Sequence, residues 1–417
     1  MTQNNEGMLN TYRALDLTDE KGLLCGKILG DMGADVIKVE KPGGDFARSI
    51  GPFYHDEPHP EKSLFWFALN TSKKGITLDI ETADGRELFK RLVKTSDFVI
   101  ESFPPGYLDG IGLGYSDLEK INPGVILVSI TGFGQTGPYR DFKTSDIVAW
   151  AMGGEMMMWG EADDPPLRIS GHSQAYLCAG ADAAMGALTA LYHRSVSGEG
   201  QQVDVSVFES VVQIDTSNRL PAWQMRGTVV KRGGATMGPS RHVSRKMYRC
   251  KDGWVNWSYR ANPAVWPSAP LVNWMDSEGF ATDYVKNFDF ARPDFAQVPQ
   301  EEWDKLEEPT AEFFMSKTKA ELLDGAVEHK VMLYPVSTTA DMMGNPQLIA
   351  RDFWKPVKHP ELDDTITYPG PFVLASESPP GISGRAPLIG EHNQDIYQDE
   401  LGISKDKLVM LKQGGVI

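Results

Sequence analysis

Cysteine, basic residues and long apolar runs are all scarce in this sequence. The 417 residues include three cysteines, Cys25, Cys178 and Cys250, which are far apart and never in a CxxC pattern. A disulfide framework or a zinc site is therefore not expected. Lys and Arg number 41 against 57 Asp and Glu, a net charge of −16, which disfavours nucleic acid and anionic lipid as partners apart from a local basic patch. No apolar run is long enough to cross a bilayer.

The sequence starts MTQNNEGMLN, which has neither the basic segment nor the apolar segment of a signal peptide. We therefore expect a cytoplasmic protein. Apolar residues make up 41% and charged residues 24%, as in ordinary folded proteins. A chain of this length exceeds the size at which a single core stops growing, so two domains are expected.

Strand and helix signals alternate along the first 130 residues. Strands are predicted at 15–17, 35–40, 76–80, 97–102 and 125–130, and helices at 22–32, 84–93 and 117–121. This alternation is typical of βαβ units with a mostly parallel sheet. The first strand–helix turn, residues 16–22, is not a GxGxxG loop, so a dinucleotide is not implied.

Later segments predict further elements. The strongest helix signal covers residues 175–194, and residues 202–208 alternate like a strand. Residues 228–245 turn basic and Gly-rich, which indicates a linker or mobile loop, and a closing helix is predicted at 404–412.

Seven short motifs are spread over nearly the whole chain. They are Leu15-Asp-Leu-Thr, residues 31–45 with Arg48, residues 70–79, Glu101-Ser-Phe-Pro-Pro-Gly, residues 131–138, residues 197–204 and residues 386–392. Each is weak alone, but their order and spacing resemble the class III coenzyme A transferases, which include formyl-CoA transferase, carnitine CoA-transferase and the α-methylacyl-CoA racemases.

The resemblance implies an α/β fold with a Rossmann-like large domain and a smaller α+β domain. The large domain would comprise residues 1–225 and a C-terminal return, residues 340–417, with a linker and the small domain at 226–339. It also implies an interlocked-ring dimer.

The resemblance further implies a reaction. An aspartate carboxylate attacks an acyl-CoA thioester and forms a mixed anhydride, and CoA leaves transiently as the thiolate. The thiolate returns to give an aspartyl thioester, which hands CoA to an acceptor acid. A carboxylate is needed because every intermediate must stay about as activated as the thioester.

Tyr176 occupies the position of that aspartate, four residues before Gly180 and without any gap to Arg194. A phenol has a pKa of about 10, its acyl derivative is a less activated ester, and it cannot form the thioester that follows. Tyr176 is therefore not a substitute nucleophile, and no catalytic residue is expected in this chain.

Three neighbouring residues are candidates to replace the missing aspartate. Asp182 lies six residues further along the helix, about 240° around and about 9 Å along the axis, so we interpret it as a solvated or capping acid. Glu155 is interpreted as an exposed loop acid and His172 as a structural hydrogen-bonding residue. Racemases of the family also need a His that precedes an Asp, where this chain has Ser145 before Asp146, so racemase activity is not expected.

The resemblance assigns four residues weakly to CoA: Lys41, Lys73, Phe103 and Lys143. A solvated lysine or a core phenylalanine is the alternative interpretation of each. Ser102 stands where the family often has Asn, and Gly110 stands where formyl-CoA transferase has a phosphate-contacting Arg. The loss of an arginine fork removes bidentate phosphate recognition. No metal and no permanently bound cofactor is expected.

These features predict the non-catalytic subunit of a heteromeric CoA-transferase. A homologous partner, in a heterodimer or heterotetramer, would supply the Asp and hold most of the CoA. The closest type within the resemblance passes CoA from succinyl-CoA to an aromatic succinate such as (R)-2-benzylsuccinate, in anaerobic toluene breakdown.

Met156, Met157, Met158 and Trp159 would suit an aromatic acid, although core filling is the favoured interpretation. Two alternatives stay open: a self-sufficient homodimer using another carboxylate, and a non-enzymatic acyl-CoA-binding protein.

Overall fold

The computed structural model of this protein describes residues 7–160, 164–168, 171, 173–214, 219–230, 241–260 and 267–417. Within it the chain forms two compact units. The first comprises Met1–Met156, Arg168–Ile214 and Pro346–Ile417, and the second comprises Met157–Leu167 and Asp215–Asn345. His172 and residues 231–240 of the predicted linker lie outside the described residues.

The first unit is built on six parallel strands. They are β1 (Arg13–Leu17), β2 (Asp35–Glu40), β3 (Lys73–Thr77), β4 (Phe98–Glu101), β5 (Ile126–Thr131) and β6 (Gln202–Ser206). The helices of this part are α1 (Leu23–Asp31), α2 (Leu64–Leu69), α3 (Ala83–Val93), α4 (Tyr107–Gly110), α5 (Tyr115–Ile121), α6 (Asp146–Met152), α7 (Gln174–Ser197) and α8 (Val207–Gln213).

The strands are arranged in the order β3-β2-β1-β4-β5-β6. Successive residues of each strand enter two different cores, so that Ala14 and Ile126 belong to one and Leu15 and Leu127 to the other. A parallel sheet buried on both faces explains why these strands read as nearly continuous apolar segments. The α/β fold with a Rossmann-like large domain, expected from the sequence, is confirmed.

The second unit contains a small antiparallel sheet and helices. Its strands are β7 (Met247–Cys250), β8 (Gly253–Asn256) and β9 (Tyr334–Pro335). Its helices are α9 (Arg219–Arg226), α10 (Ala269–Ser277), α11 (Asp283–Asn287), α12 (Gln300–Met315), α13 (Lys319–His329) and α14 (Thr339–Met343). Aromatic side chains dominate its core, where the rings of Tyr259, Phe295 and Trp303 pack edge to face.

The C-terminal segment returns to the first unit. It forms α15 (Pro346–Ala350), the hairpin β10 (Trp354–His359) and β11 (Asp364–Pro369), a π-helical turn (Gln394–Glu400) and α16 (Lys405–Gln413). The edge strand β3 is covered by this segment: Gly75 N–H donates to His392 Nδ1 (3.0 Å) and Thr77 N–H to Asn393 Oδ1 (2.9 Å). A Cβ on Gly75 would lie 2.8 Å from Pro387 Cβ, so this close approach requires glycine.

Two predicted strands differ from the structure. Strand β3 covers Lys73–Thr77 rather than residues 76–80, because two lysines begin it and one of them is buried in an ion pair. The predicted strand at 202–208 ends at Ser206, whose Oγ accepts the Glu209 N–H and caps helix α8 from Val207.

Candidate active site

The carboxyl ends of β1 and β4 lie side by side at the point where the strand order reverses. In open α/β sheets, ligands bind at this switch point because the adjacent loops diverge and leave a crevice. A cleft of about 180 Å³ lies here. The residues that line it are Leu17, Asp19, Val39, Glu40, Lys41, Gly44, Asp45, Phe46, Leu78, Ile80, Ser102 and Phe103.

Two of the four residues predicted to contact CoA share this cleft. Lys41 Nζ lies 2.9 Å from Glu81 Oε1, in an ion pair whose side chains are 57% and 50% exposed. Such a pair is held weakly, so Lys41 can exchange it for a phosphate oxygen. Phe103 stacks on Tyr107 with ring centroids 4.6 Å apart and presents an apolar surface to the cleft.

The other two lysines are placed differently. The Lys73 side chain is fully buried, and its Nζ donates to Asp16 Oδ2 (2.8 Å), Leu23 O (2.8 Å) and Asn70 Oδ1 (2.9 Å). All three protons of the ammonium are thereby used inside the protein, and in this structure the amine has no access to the cleft. Lys143 is exposed and is not among the residues that line it.

The loops after β1 and β4 are tied together by Ser102. Its Oγ donates to Asp19 Oδ1 (2.7 Å) and accepts the Asp19 N–H (2.8 Å). Sequence reasoning treated Ser102 only as the loss of an asparagine and missed Asp19. The available signal was their position, since Asp19 lies two residues after the end of β1 and Ser102 directly after β4, and these adjacent strands flank the switch point.

Phe46 is another cleft residue that sequence reasoning missed. It follows the positive-φ pair Gly43 and Gly44 and is 71% exposed at the cleft. A large aromatic side chain left in solvent beside a cleft is typical of a ligand contact. The sequence signal for a contact here was the Gly43-Gly44 pair. Two consecutive glycines allow positive φ angles and therefore a sharp turn, which returns the chain toward the strand ends.

Tyr176 lies in the first turn of α7. The turn is held by Asp146, whose Oδ1 accepts the Ala175 N–H at 2.8 Å. One turn later Gly180 packs against α1, where a Cβ would lie 2.9 Å from Leu24 Cβ. This contact places Tyr176 beside the β1–α1 loop. Burial, and then the charges of Glu20, Asp19 and Asp146, raise the pKa of Tyr176 well above its ordinary value, so the phenol stays protonated.

The two carboxylates considered as replacements for the aspartate, Asp182 and Glu155, differ in how deeply they are buried. Asp182 is half-buried on α7. Glu155, expected to be exposed, is instead 7% exposed at the start of a 3₁₀ turn, so that expectation was wrong. The core-filling interpretation of the methionine run is also wrong for Met157 and Trp159, each 47% exposed.

Glu101 ends β4 and directly precedes the cleft residues Ser102 and Phe103. Its Oε2 accepts the Phe103 N–H at 2.7 Å. Burial, only partly offset by hydrogen bonds from Ser129 and Phe103, raises the pKa of Glu101 to about 7.

This shift predicts a pH-dependent stability. Between the ordinary pKa of 4.5 and about 7 the unfolded chain releases the Glu101 proton while the folded chain retains it, so the unfolding free energy contributed by this group falls as pH rises. Glu101→Gln should remove up to about 3 kcal/mol of that fall. Urea unfolding at pH 5 and pH 8 measures it, with the exposed Glu119→Gln as the control. An unchanged difference between the two pH values in Glu101→Gln would contradict the assignment.

The described residues contain neither a group of three metal-ligating side chains nor a helix long and apolar enough to span a membrane.

Comparisons with known proteins agree with these features. The sequence model of the family described as CoA-transferase family III matches residues 9–393. Succinyl-CoA:(R)-benzylsuccinate CoA-transferase subunit BbsE of Thauera aromatica is 34% identical over 391 residues, which cover 92% of each chain. Succinyl-CoA–D-citramalate CoA-transferase of Chloroflexus aurantiacus is 36% identical over 399 residues, 95% of this chain and 94% of that protein.

A solved structure shares the fold over almost its whole length. The crystal structure of a CAIB/BAIF family protein from Brucella suis superimposes with a TM-score of 0.79 at 28% identity. The match covers 94% of this chain and 99% of that one.

Proposed function

The chain belongs to CoA-transferase family III, and from this premise we propose that it is the subunit without the nucleophilic carboxylate in a heteromeric CoA-transferase. The observation that carries the proposal is the buried, protonated phenol of Tyr176 at the nucleophile position. A homologous partner chain supplies the aspartate. The two chains form an interlocked pair in the cytoplasm.

The chemistry explains why a tyrosine cannot serve. The partner's carboxylate attacks the thioester carbonyl, and the C–S bond breaks to release CoA thiolate and leave a mixed anhydride. The thiolate then attacks the partner's carboxyl carbon, which releases the donor acid and forms the enzyme thioester. A phenol has no acyl carbon of its own for the thiolate to attack. Its reaction would stop at an aryl ester.

The proposed substrates are succinyl-CoA as donor and a carboxylic acid such as (R)-2-benzylsuccinate as acceptor. The name of the Thauera relative supports this pair, and that relative is itself described as a subunit. In this chain Lys41 and Phe103 are the proposed contacts to the nucleotide part of CoA, a proposal supported by the fact that both line the cleft. The partner holds most of the CoA, because Gly110 offers no arginine fork for phosphate.

The test uses the full chain, alone and mixed with its partner, in the presence of radiolabelled succinyl-CoA and hydroxylamine. The chain alone should give no hydroxamate and no CoA exchange between acids. The mixture should give both, with the covalent adduct on the partner. An acyl or CoA adduct on a carboxylate of this chain alone would overturn the proposal and favour a self-sufficient homodimer.

A further inference from the structure

One carboxylate connects three segments that follow neighbouring strands of the sheet. Glu81 lies between β3 and α3, and its Oε1 accepts hydrogen bonds from Lys41 Nζ (2.9 Å) and from the Tyr107 hydroxyl (2.7 Å). Lys41 directly follows β2, and Tyr107 begins α4, after β4. A single oxygen of Glu81 is therefore shared by an ammonium group and a phenol from different parts of the chain.

This shared oxygen lies beside the cleft of the first unit. Lys41 lines the cleft, and Glu81 directly follows Ile80, which lines it as well. The Tyr107 ring stacks on Phe103, another lining residue, with ring centroids 4.6 Å apart. Both donors to the Glu81 carboxylate are therefore in place to meet an anionic group of a ligand that enters the cleft.

The cleft offers little positive charge of its own. Among the described residues that line it, Lys41 is the only basic one, and Asp19, Glu40 and Asp45 are acidic. The Glu81 carboxylate pairs with Lys41 and offsets its charge. A phosphate group that binds here must therefore compete with Glu81 for the ammonium group.

The protonation states match those of a bound phosphate oxygen and its donors. The hydrogen bonds from Lys41 and then from Tyr107 lower the pKa of Glu81, so its carboxyl is ionised at neutral pH. Burial, and then the hydrogen bond to Glu81, raise the pKa of Tyr107 to about 12, so its hydroxyl keeps the proton that it donates. An oxyanion held by an ammonium and a hydroxyl is a charge-assisted arrangement that a phosphate oxygen can adopt as well.

We propose that the Glu81 carboxylate occupies the place of a phosphate group of CoA, and that Lys41 Nζ and the Tyr107 hydroxyl donate to that phosphate once Glu81 is displaced. The inference rests on the proposed function, in which Lys41 contacts the nucleotide part of CoA. It adds Tyr107 as a phosphate donor and Glu81 as the residue that sets the affinity. Binding is weakened by the fraction of molecules in which Glu81 still holds both donors.

Calorimetric titration of the full chain with CoA, and separately with adenosine, tests this competition. Glu81→Gln keeps an acceptor for the Tyr107 hydroxyl but removes the charge that pairs with Lys41 and repels phosphate. We expect it to tighten CoA binding about fivefold, a gain that partial unfolding cannot produce. Adenosine has no phosphate and should bind the wild-type chain and the variant equally. An equal gain for adenosine would overturn the inference.

The matched control is Glu87→Gln on α3, which removes the same charge from another surface pair. Glu87 is 74% exposed and its Oε1 lies 3.3 Å from Lys90 Nζ, so the variant should leave CoA binding unchanged. An equal gain in Glu87→Gln, no gain in Glu81→Gln, or CoA binding to neither the wild-type chain nor Glu81→Gln would overturn the inference. None of these results alters the hydroxylamine experiment, which depends only on which chain carries the nucleophile.

A second substitution tests the donor role of Tyr107. In the Glu81→Gln chain, Tyr107→Phe keeps the ring that stacks on Phe103 and removes the hydroxyl. CoA binding should weaken about threefold, while adenosine binding should not change. An unchanged affinity for CoA would overturn the assignment of Tyr107 as a phosphate donor.

Discussion

In the reconstituted heteromer, Tyr176→Phe leaves CoA transfer within about threefold of the wild-type rate, whereas Asp→Ala at the partner's nucleophile lowers it by about a thousandfold or more. The difference follows from chemistry. The partner's carboxylate forms both covalent intermediates, while the Tyr176 hydroxyl is a protonated phenol whose removal costs at most a hydrogen bond. Steady-state exchange between succinyl-CoA and the acceptor acid measures both variants.

Tyr176→Asp is the informative companion to these variants. An aspartate at this position would be surrounded by Asp19, Glu20 and Asp146, the same acids that raise the pKa of the tyrosine. Burial beside like charges would also raise the pKa of the new carboxyl and reduce its ionised fraction. We expect the isolated Tyr176→Asp chain to stay well below the activity of the heteromer. Full activity of that chain would contradict this account of the site.

The second large effect concerns Asp16. Its carboxylate lies 2.8 Å from Lys73 Nζ and 3.8 Å from Lys38 Nζ, and all three side chains are fully buried. Burial opposes ionisation of Asp16, but the two ammonium groups outweigh it and lower the pKa of this carboxyl. Asp16→Ala would leave the buried Lys73 without its counter-charge and Lys38 with only Asp45, at 3.8 Å, and we expect it to lower the unfolding free energy by about 3–5 kcal/mol.

Urea unfolding at pH 7 measures this loss. The matched control is Asp141→Ala, since Asp141 is 84% exposed and should change the unfolding free energy by less than about 0.5 kcal/mol. A loss below about 1 kcal/mol for Asp16→Ala would mean that the two lysines find water or other acceptors.

Sequence patterns predicted the sheet well because its strands are buried on both faces. Strand β2 was predicted with its observed limits, and β5 within one residue. The predicted position of strand β3 was three residues too late, because a lysine such as Lys73 is expected at the surface rather than in a buried strand. Its burial depends on Asp16, 57 residues earlier in the chain. Local periodicity contains no information about a partner that distant.

The same limitation applies to the candidate site. The positions of Lys41 and Phe103 in their motifs indicated a shared site, because both follow the ends of sheet strands, and both residues line one cleft. Position could not show that the amine of Lys73 faces inward, nor that Asp19 and Phe46 line the same cleft. The burial of Glu155 was missed for a related reason, since a single acid in a Gly-rich stretch resembles a solvated loop residue.

The hydrogen bonds that His392 and Asn393 make to β3 have a consequence for biosynthesis. Residues 73–77 leave the ribosome more than three hundred residues before these side chains exist, and the whole second unit is translated in between. Until then the nascent sheet presents an open row of backbone groups to other chains in the cell. Chaperone protection during elongation is therefore needed most over this interval. A premature stop codon before residue 392 would release a product in which the backbone groups at the β3 edge stay unpaired.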